Sequence, residues 1–427
     1  MASVPLVREV LEQRLLQKVR AADPQLAGAA RAQLFELAVA DLPLCLRGAF
    51  VRALLEVDPR APERIGLELA GGSPERRERW LAAMAESAHP AARGLLQAYA
   101  EDHSTEVRAL CAIGLGRCGE SGSAALLAKR LALESSARVL RHLAEACGRI
   151  ADPVTAPQLR ALLRSPATAV RTAAAAALGR IKDTEARLLL TELLRSGDSA
   201  QRYAAAESLG EMGSEAAVPA LAAGLQDSNP TVRRRAAYAL GLIGGPSTVE
   251  PLAQALQDLN PGVRSRAAYA LGSAADSAAL PPLRDALADP VLVVRRQVAD
   301  ALSRLEASGS AGILVALLEQ PEPEIWQRAA WGLGQRGDRR ALEPLRRMLR
   351  DPEDRIRARA VQGLEGLDAQ ADLRSALLDQ AAAVRLRAWQ ALARRGLTRA
   401  ELLEALSDPD PSVVEAACAL LLDPARA

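Results

Sequence analysis

Two stretches with one pattern, TVRRRAAYALG at residues 231–241 and GVRSRAAYALG at residues 262–272, decide the fold of this 427-residue chain. The pattern is a β-branched residue, usually an arginine next, a run of alanines and Leu-Gly. Its copies begin at Val107, Val139, Val170, Gln201, Val232, Val263, Val294, Ile325, Ile356, Val384 and Val413. The spacing is 32 residues, then seven times 31, then 28 and 29. Such a period predicts one supersecondary unit stacked on copies of itself.

The composition favours helices. Ala and Leu dominate a chain that is 49% hydrophobic but has only two Phe, four Tyr and four Trp. We predict an all-α, right-handed α-solenoid of helix-turn-helix units. Residues 101–427 would form a regular array of about 11 units with shortened C-terminal units, and residues 1–100 divergent helical repeats or a cap. The formal net charge of +2 argues against general binding of polyanions.

The unit from 213 to 244 illustrates how one repeat is built. We predict a first helix over about 215–226, then a second helix with Asn229 as N-cap and Pro230 as its first residue. The glycines between 241 and 245 predict its end. Counting from the β-branched residue, a helical period places positions 0, 4, 7, 8 and 11 on a buried face. Positions 2, 6 and 9 would point the opposite way, with position 3 at the border.

The pattern Asp-Pro, a short turn, Val-Arg, Ala-Ala and Ala-Leu-Gly resembles the HEAT-like repeat, in the form named after phycobilisome lyases. The resemblance covers about Asp102–Pro424, and weaker units can be phased upstream at Arg76 and Leu44. It implies a ladder in which the Asp five residues before each β-branched residue pairs with the Arg at position 1. It also implies that the second helices line a concave surface.

The candidate functional residues are departures from the repeat at positions 2, 3 and 6. Tyr, Trp and Arg, which are enriched at binding hot spots, collect there in the middle and C-terminal units. We predict a partner-binding stripe formed by Tyr203, Arg234, Arg235, Tyr238, Arg266, Tyr269, Arg296, Arg328, Trp331, Arg359 and Arg387. Three pairs one helical turn apart combine an arginine with a ring: Arg235/Tyr238, Arg266/Tyr269 and Arg328/Trp331. The alternative is that the rings only pack on neighbouring helices and the arginines are solvated.

Catalytic motifs are missing from the sequence. A catalytic relative of HEAT-like proteins, deoxyhypusine hydroxylase, holds two irons with His-Glu pairs, but none of His89, His103 and His142 is followed by Glu. The five cysteines form no CxxC pair, and no phosphate-binding, dinucleotide-binding or nucleophile-elbow motif occurs. We therefore expect no metal site, no cofactor and no enzymatic activity.

The predicted function is a cytoplasmic, non-catalytic scaffold or adaptor that binds an acidic or extended segment of another protein. One alternative is nucleic-acid binding, with arginines on phosphates and rings stacked on bases. Another is a lyase-like or chaperone-like helper of a cofactor-bearing protein. No apolar run reaches the roughly 18 residues of a membrane span. The N-terminus also lacks the apolar core of a signal peptide. The oligomeric state stays open.

Overall fold

The computed structural model describes residues 24–40, 42–274, 276–307, 309–394 and 403–421. Within these ranges all regular secondary structure is helical, so the predicted all-α solenoid is confirmed. The first 23 residues, for which we expected no signal peptide, and the last six residues of the array lie outside the described ranges. The chain divides into two compact units, residues 1–220 and 221–427.

The second helices of successive repeats pack side by side within each unit. In the first unit they are α2 (Leu44–Val57), α4 (Pro74–Ser87), α6 (Thr105–Cys118), α8 (Ala137–Ile150), α10 (Thr168–Ile181) and α12 (Ser199–Met212). In the second unit they are α14 (Pro230–Ile243), α16 (Pro261–Ser273), α18 (Leu292–Arg304), α20 (Pro323–Gln335), α22 (Asp354–Gly366), α24 (Ala382–Ala393) and α25 (Pro411–Leu421). Helices α2 and α4 coincide with the weaker units phased upstream.

The first helices form the other layer. They are α1 (Pro24–Val39), α3 (Ala61–Gly71), α5 (Arg93–Ala98), α7 (Ala124–Leu133), α9 (Ala156–Leu162), α11 (Arg187–Ser196), α13 (Val218–Gly224), α15 (Val249–Ala255), α17 (Leu280–Asp285), α19 (Ser310–Leu317), α21 (Leu342–Met348) and α23 (Gln370–Ala376). The single first helix predicted over 215–226 is wrong, because a 3₁₀ turn at Glu215–Ala217 precedes α13. Pro219 has no N–H to donate to the carbonyl of Glu215, but 3₁₀ turns also precede α7 and α11, which contain no proline, so the turn belongs to the repeat.

The second helix begins and ends as predicted. Asn229 caps α14 by accepting the N–H of Thr231 at 2.9 Å, and Pro230 is the first helical residue. Gly244 ends the helix with φ of 68°, a conformation that glycine adopts without strain. The core positions Val232, Ala236, Ala239 and Leu240 have no exposed surface.

Position 9 was assigned to the wrong face. Gly272, the glycine of Leu-Gly in α16, lies against α18, and a Cβ at this position would stand 2.6 Å from the Cα of Ala301. Gly241 approaches Ala270 in the same way. The glycine of Leu-Gly therefore does not stop the helix but permits the close approach of the next one. A helical wheel does not show this contact, because it describes one helix alone and not the position of the neighbouring helix.

The predicted ladder is present and bidentate. Arg264 donates from Nε and Nη2 to the carboxylate of Asp289 at 2.6 and 2.9 Å, and from Nη1 to the carbonyl of Asp258 at 2.8 Å. Burial opposes ionisation of Asp289, but the bonds from Arg264 and from the N–H of Val291 hold its pKa below the usual range. Each such pair ties one repeat to the next, and removing one partner would strand a desolvated charge.

Equivalent pairs recur along both units. They join Arg108 to Glu134, Arg233 to Asp258, Arg357 to Asp379 and Arg385 to Asp408. Arg295 departs from the register and pairs with Glu322 at 2.6 Å. The ladder is therefore a property of the stacking and not of one binding site.

Candidate partner-binding site

The predicted stripe divides between the two units. Tyr203 is half-buried on α12 in the first unit, and the other ten residues lie in the second unit on α14, α16, α18, α20, α22 and α24. Trp326 and Trp389 do not belong to this stripe and are both buried, at 7% exposed. The second unit therefore carries the geometry on which a site can be built.

Arginines and tyrosines alternate across three consecutive second helices. The guanidinium carbon of Arg235 lies 5.4 Å from the ring centre of Tyr238, as predicted, and that of Arg266 lies 5.3 Å from Tyr269. Arg266 also lies 5.1 Å from Tyr238 on the preceding helix, so it is shared by two rings. Burial lowers the pKa of Arg235, and the positive charge of Arg266 adds to the shift. We call this series, with Arg304, the Arg–Tyr stack.

Arg304 is a member of the stack that the sequence reasoning missed. It lies at the end of α18, with its guanidinium carbon 4.6 Å from the ring centre of Tyr269. Its position, 10, is one helical turn beyond position 6 and therefore on the same face. That spacing could have identified it, but arginine also occupies position 10 in repeats without an aromatic residue at position 6, as at Arg117, Arg149 and Arg180.

The third predicted pair, Arg328 with Trp331, does not form. Arg328 instead makes an ion pair with Asp300 of the preceding helix, with 2.8 Å between Nε and Oδ2, and donates to the carbonyl of Glu324. The ring of Trp331 is covered by Arg359 of the following helix, 5.3 Å from its centre. Helix stagger decides the partner here, because an acceptor across the interface competes with a ring on the same helix.

One open cavity of about 850 Å³ lies on the second-helix face from α18 to α24. It is lined by four of the predicted arginines, Arg296, Arg328, Arg359 and Arg387. Four acids line it at the starts of α20 and α22, namely Glu324, Asp351, Glu353 and Asp354. We call this cavity the charged groove.

The arginines of the groove differ in their surroundings. Burial lowers the pKa of Arg359, and Arg328 lowers it further while Asp300 counteracts both. Arg296 and Arg387 are exposed, and in the described part of the chain neither has a carboxylate at ion-pairing distance. These two guanidinium groups are therefore able to pair with an anionic group from outside the chain.

Among the described residues, neither metal binding nor cysteine chemistry provides a second candidate site. In the ranges that the structure covers, no group of three His, Cys, Asp or Glu side chains is arranged to hold a metal ion. Burial raises the pKa of the Cys111 and Cys147 thiols to about 12, which keeps them protonated and unreactive. No helix among the described residues is long and apolar enough to cross a membrane.

Comparison with known families identifies the repeat. A family model described as HEAT repeats matches eight overlapping segments between residues 63 and 381. This span is about three quarters of the chain, so the protein belongs to the HEAT repeat family, as the sequence pattern predicted. No curated protein matches the sequence.

Two solved structures, importin beta and the Kap95:Nup1 complex, agree with this fold. Importin beta is 15% identical, with a TM-score of 0.57, and the match covers 96% of this chain and 72% of that one. The Kap95:Nup1 complex is 13% identical, with a TM-score of 0.56, and this match also covers 96% of this chain and 72% of that one. The complex of CpcE and CpcF of phycocyanin lyase from Nostoc sp. PCC7120 is 23% identical, covering 55% of this chain and 93% of that one, with a TM-score of 0.39.

Proposed function

We propose that this protein is a non-catalytic scaffold whose charged groove binds an acidic or extended segment of another protein. The observation that carries the proposal is that four consecutive second helices each contribute at least one arginine to the same cavity. Two of these arginines, Arg296 and Arg387, have no ion-pair partner among the described residues. A chain running along the stacked helices would meet one guanidinium group per repeat, which suits an extended partner better than a small molecule.

The neighbouring Arg–Tyr stack supports the same interpretation through rigidity. A guanidinium group stacked on a ring contributes about 0.5–1 kcal/mol at exposed sites and keeps the side chain in one geometry. Arg266 is held between Tyr238 and Tyr269 and therefore loses little conformational freedom when a partner binds. Arginine side chains are long, so a surface that recognises its partner through them binds more tightly when they are already fixed before binding.

Nucleic-acid binding is less well supported by this geometry. Two guanidinium groups lie over Tyr238 and two over Tyr269, so a base would have to displace them to stack on either ring. Four carboxylates in the groove would also repel a phosphate backbone. Because the arginines and acids are interleaved, a polypeptide with both kinds of charge fits better.

The test is partner capture by the full chain. Wild-type protein would be immobilised, exposed to nuclease-treated extract of the source cell, and compared with an Arg296→Glu/Arg387→Glu variant. Both residues are exposed and unpaired among the described residues, so helicity and melting temperature should not change. An Arg195→Glu/Arg339→Glu variant, altered on exposed residues of the first-helix layer, is the matched control.

We expect a protein that wild type and control capture equally and that the groove variant loses. Equal recovery by all three folded proteins refutes the groove as the binding surface. Capture from untreated extract that is lost from nuclease-treated extract assigns the surface to nucleic acid instead. Arg235 and Arg266 are less suitable targets, because reversing their charge would also dismantle the Arg–Tyr stack.

A further inference from the structure

At one step, between α20 and α22, the ladder lacks its arginine but keeps its acid. Position 1 of this repeat, which elsewhere carries the ladder arginine, is Trp326, while the carboxylate that such an arginine would bind is retained as Asp351. In the described part of the chain no guanidinium group lies within ion-pairing distance of Asp351. Its two oxygens accept neutral donors instead: Oδ2 the Nε2 of Gln327 at 3.4 Å, and Oδ1 the N–H of Glu353 at 3.0 Å. A carboxylate at a ladder position is therefore left without its cation.

The other ladder step without an arginine is built differently. In α8 position 1 is Leu140, and the residue that would carry the acid in the next repeat is Ser165, so arginine and acid are both absent. The fold thus tolerates a step with neither charge. At Trp326 only the cation is absent: Asp351 still accepts the N–H of Glu353, as the other ladder acids accept the equivalent N–H, but no guanidinium group pairs with its charge.

The unpaired carboxylate is accessible from two sides. The charged groove and a second cavity of about 420 Å³ share Pro323, Gln327, Asp351 and Pro352 in their walls. The second cavity also contains Trp326, whose ring is covered by Arg347 at 4.7 Å. Arginines surround the second cavity, whereas the groove side of Asp351 holds the other acids, so a cation is better accommodated from the groove.

We propose that Asp351 binds a guanidinium side chain of the partner segment, which takes the place of the missing ladder arginine. This inference rests on the proposed function and specifies the partner: an extended segment with one arginine among acidic residues. The arginine lies at Asp351, near the acids at the starts of α20 and α22. The neighbouring acidic residues of the segment lie on Arg296 and Arg387, within the same cavity.

The ladder itself supplies the geometry of recognition. At the regular ladder steps, as in Arg357 with Asp379, Nε and Nη2 donate to the two oxygens of one carboxylate at 2.7 and 2.9 Å. Arginine makes this planar, two-bond contact and lysine cannot. The site is therefore expected to prefer arginine over lysine and over citrulline, which has the same shape without the charge.

The experiment uses the full chain and two short synthetic peptides. One alternates glycine and glutamate around a central arginine, and the other has citrulline in its place. Fluorescence anisotropy of labelled peptides gives the ratio of their dissociation constants. We expect the arginine peptide to bind wild type about tenfold more tightly, as one charge-assisted contact predicts. Substituting lysine for the arginine should lose most of that preference.

Three variants locate the preference. Asp351→Asn should abolish it, and Asp354→Asn, which removes one acid from the same groove outside the ladder, should retain it. Trp326→Arg should also abolish it, because the introduced guanidinium group would pair with Asp351 as in the other steps. Circular dichroism checks the fold of each variant, and Asp351→Asn, a nearly isosteric change, serves if replacement of the buried Trp326 prevents folding.

An arginine preference that survives in Asp351→Asn overturns the proposal, as does equal loss in Asp354→Asn, which would indicate a diffuse acidic surface. Failure of wild type to bind the arginine peptide more tightly than the citrulline peptide overturns it as well. None of these outcomes touches the proposed function, which depends on partner capture and on Arg296 and Arg387. A chain that still captures its partner through those two arginines but shows no arginine preference refutes the Asp351 site alone.

Discussion

Replacing Glu134 by glutamine tests whether the ladder stabilises the stack. The carboxylate of Glu134 is 2% exposed and accepts from Arg108 Nε and Nη2 at 2.8 and 3.1 Å, and from the N–H of Ser136 at 2.9 Å. Burial opposes its ionisation, but these bonds prevail and lower its pKa to about 2. Compared with its ordinary value of 4.5, this shift corresponds to about 3 kcal/mol in favour of the folded state at pH 7.

The sign of the pH dependence follows from the lowered pKa. The contribution of Glu134 is complete above pH 4.5, where the carboxylate is ionised in both states. It declines as the pH falls towards about 2, because the unfolded chain takes up the proton first. The difference in unfolding free energy between wild type and Glu134→Gln should therefore shrink from about 3 kcal/mol at pH 7 to about 1 kcal/mol at pH 3.

Urea unfolding followed by far-ultraviolet circular dichroism measures this difference at both pH values. Hydrogen exchange over residues 124–147 should be read in parallel, because repeat arrays lose single interfaces before the whole chain unfolds. Glu101→Gln is the control: this residue is 53% exposed and pairs with Lys129 at 3.1 Å, so its loss should cost less than about 1 kcal/mol. If the two variants are equally stable at pH 7, or if the difference does not shrink at pH 3, the ladder is not what stabilises the interface.

Three further outcomes can be measured on purified protein. Gly272→Ala should destabilise the protein by about 1–3 kcal/mol in thermal melts, because the added Cβ would overlap the next helix. Gly312→Ala, which has open space around it, should instead stabilise the protein by up to about 1 kcal/mol. A change of the same sign in both variants would contradict the packing. Tyr238→Ala should lower the unfolding free energy by about 1–2 kcal/mol, because two guanidinium contacts are lost. An unchanged unfolding free energy would show that the Arg–Tyr stack does not stabilise the fold. Native alkylation followed by mass spectrometry should label the exposed Cys418 and spare Cys111, and early labelling of Cys111 would show that the core opens.

The sequence predicts the repeat and its internal bonds well because each expectation is tested eleven times within one chain. The N-cap at Asn229, the helix end at Gly244 and the buried face of α14 depend only on neighbours in sequence, which a pattern records directly. The ladder joins residues about 25 apart, but most of its arginines meet an acid at the same position of the next repeat, so the resemblance predicted it correctly.

The side chains of the site were harder to pair. The pattern identifies the face on which Arg328 and Trp331 lie, but not that Arg328 reaches back to Asp300 while Arg359 covers Trp331. Both contacts cross a helix interface, so the stagger of adjacent helices determines whether an arginine meets a carboxylate or an aromatic ring. Arg304 was missed for the same reason, because only the offset of α18 against α16 brings it over Tyr269.

Some charged departures from the repeat form an ion pair with another residue of the chain, and others do not. Asp300, at a position where the two adjacent repeats carry a ring, is neutralised by Arg328, so the fold alone accounts for it. Asp351, Arg296 and Arg387 have no such partner among the described residues, and all three line the charged groove. Unpaired charges of both signs in one cavity reduce the stability of a chain that could pair them internally, as it does at every intact ladder step. Their presence together is explained most simply by a binding partner that supplies the missing charges.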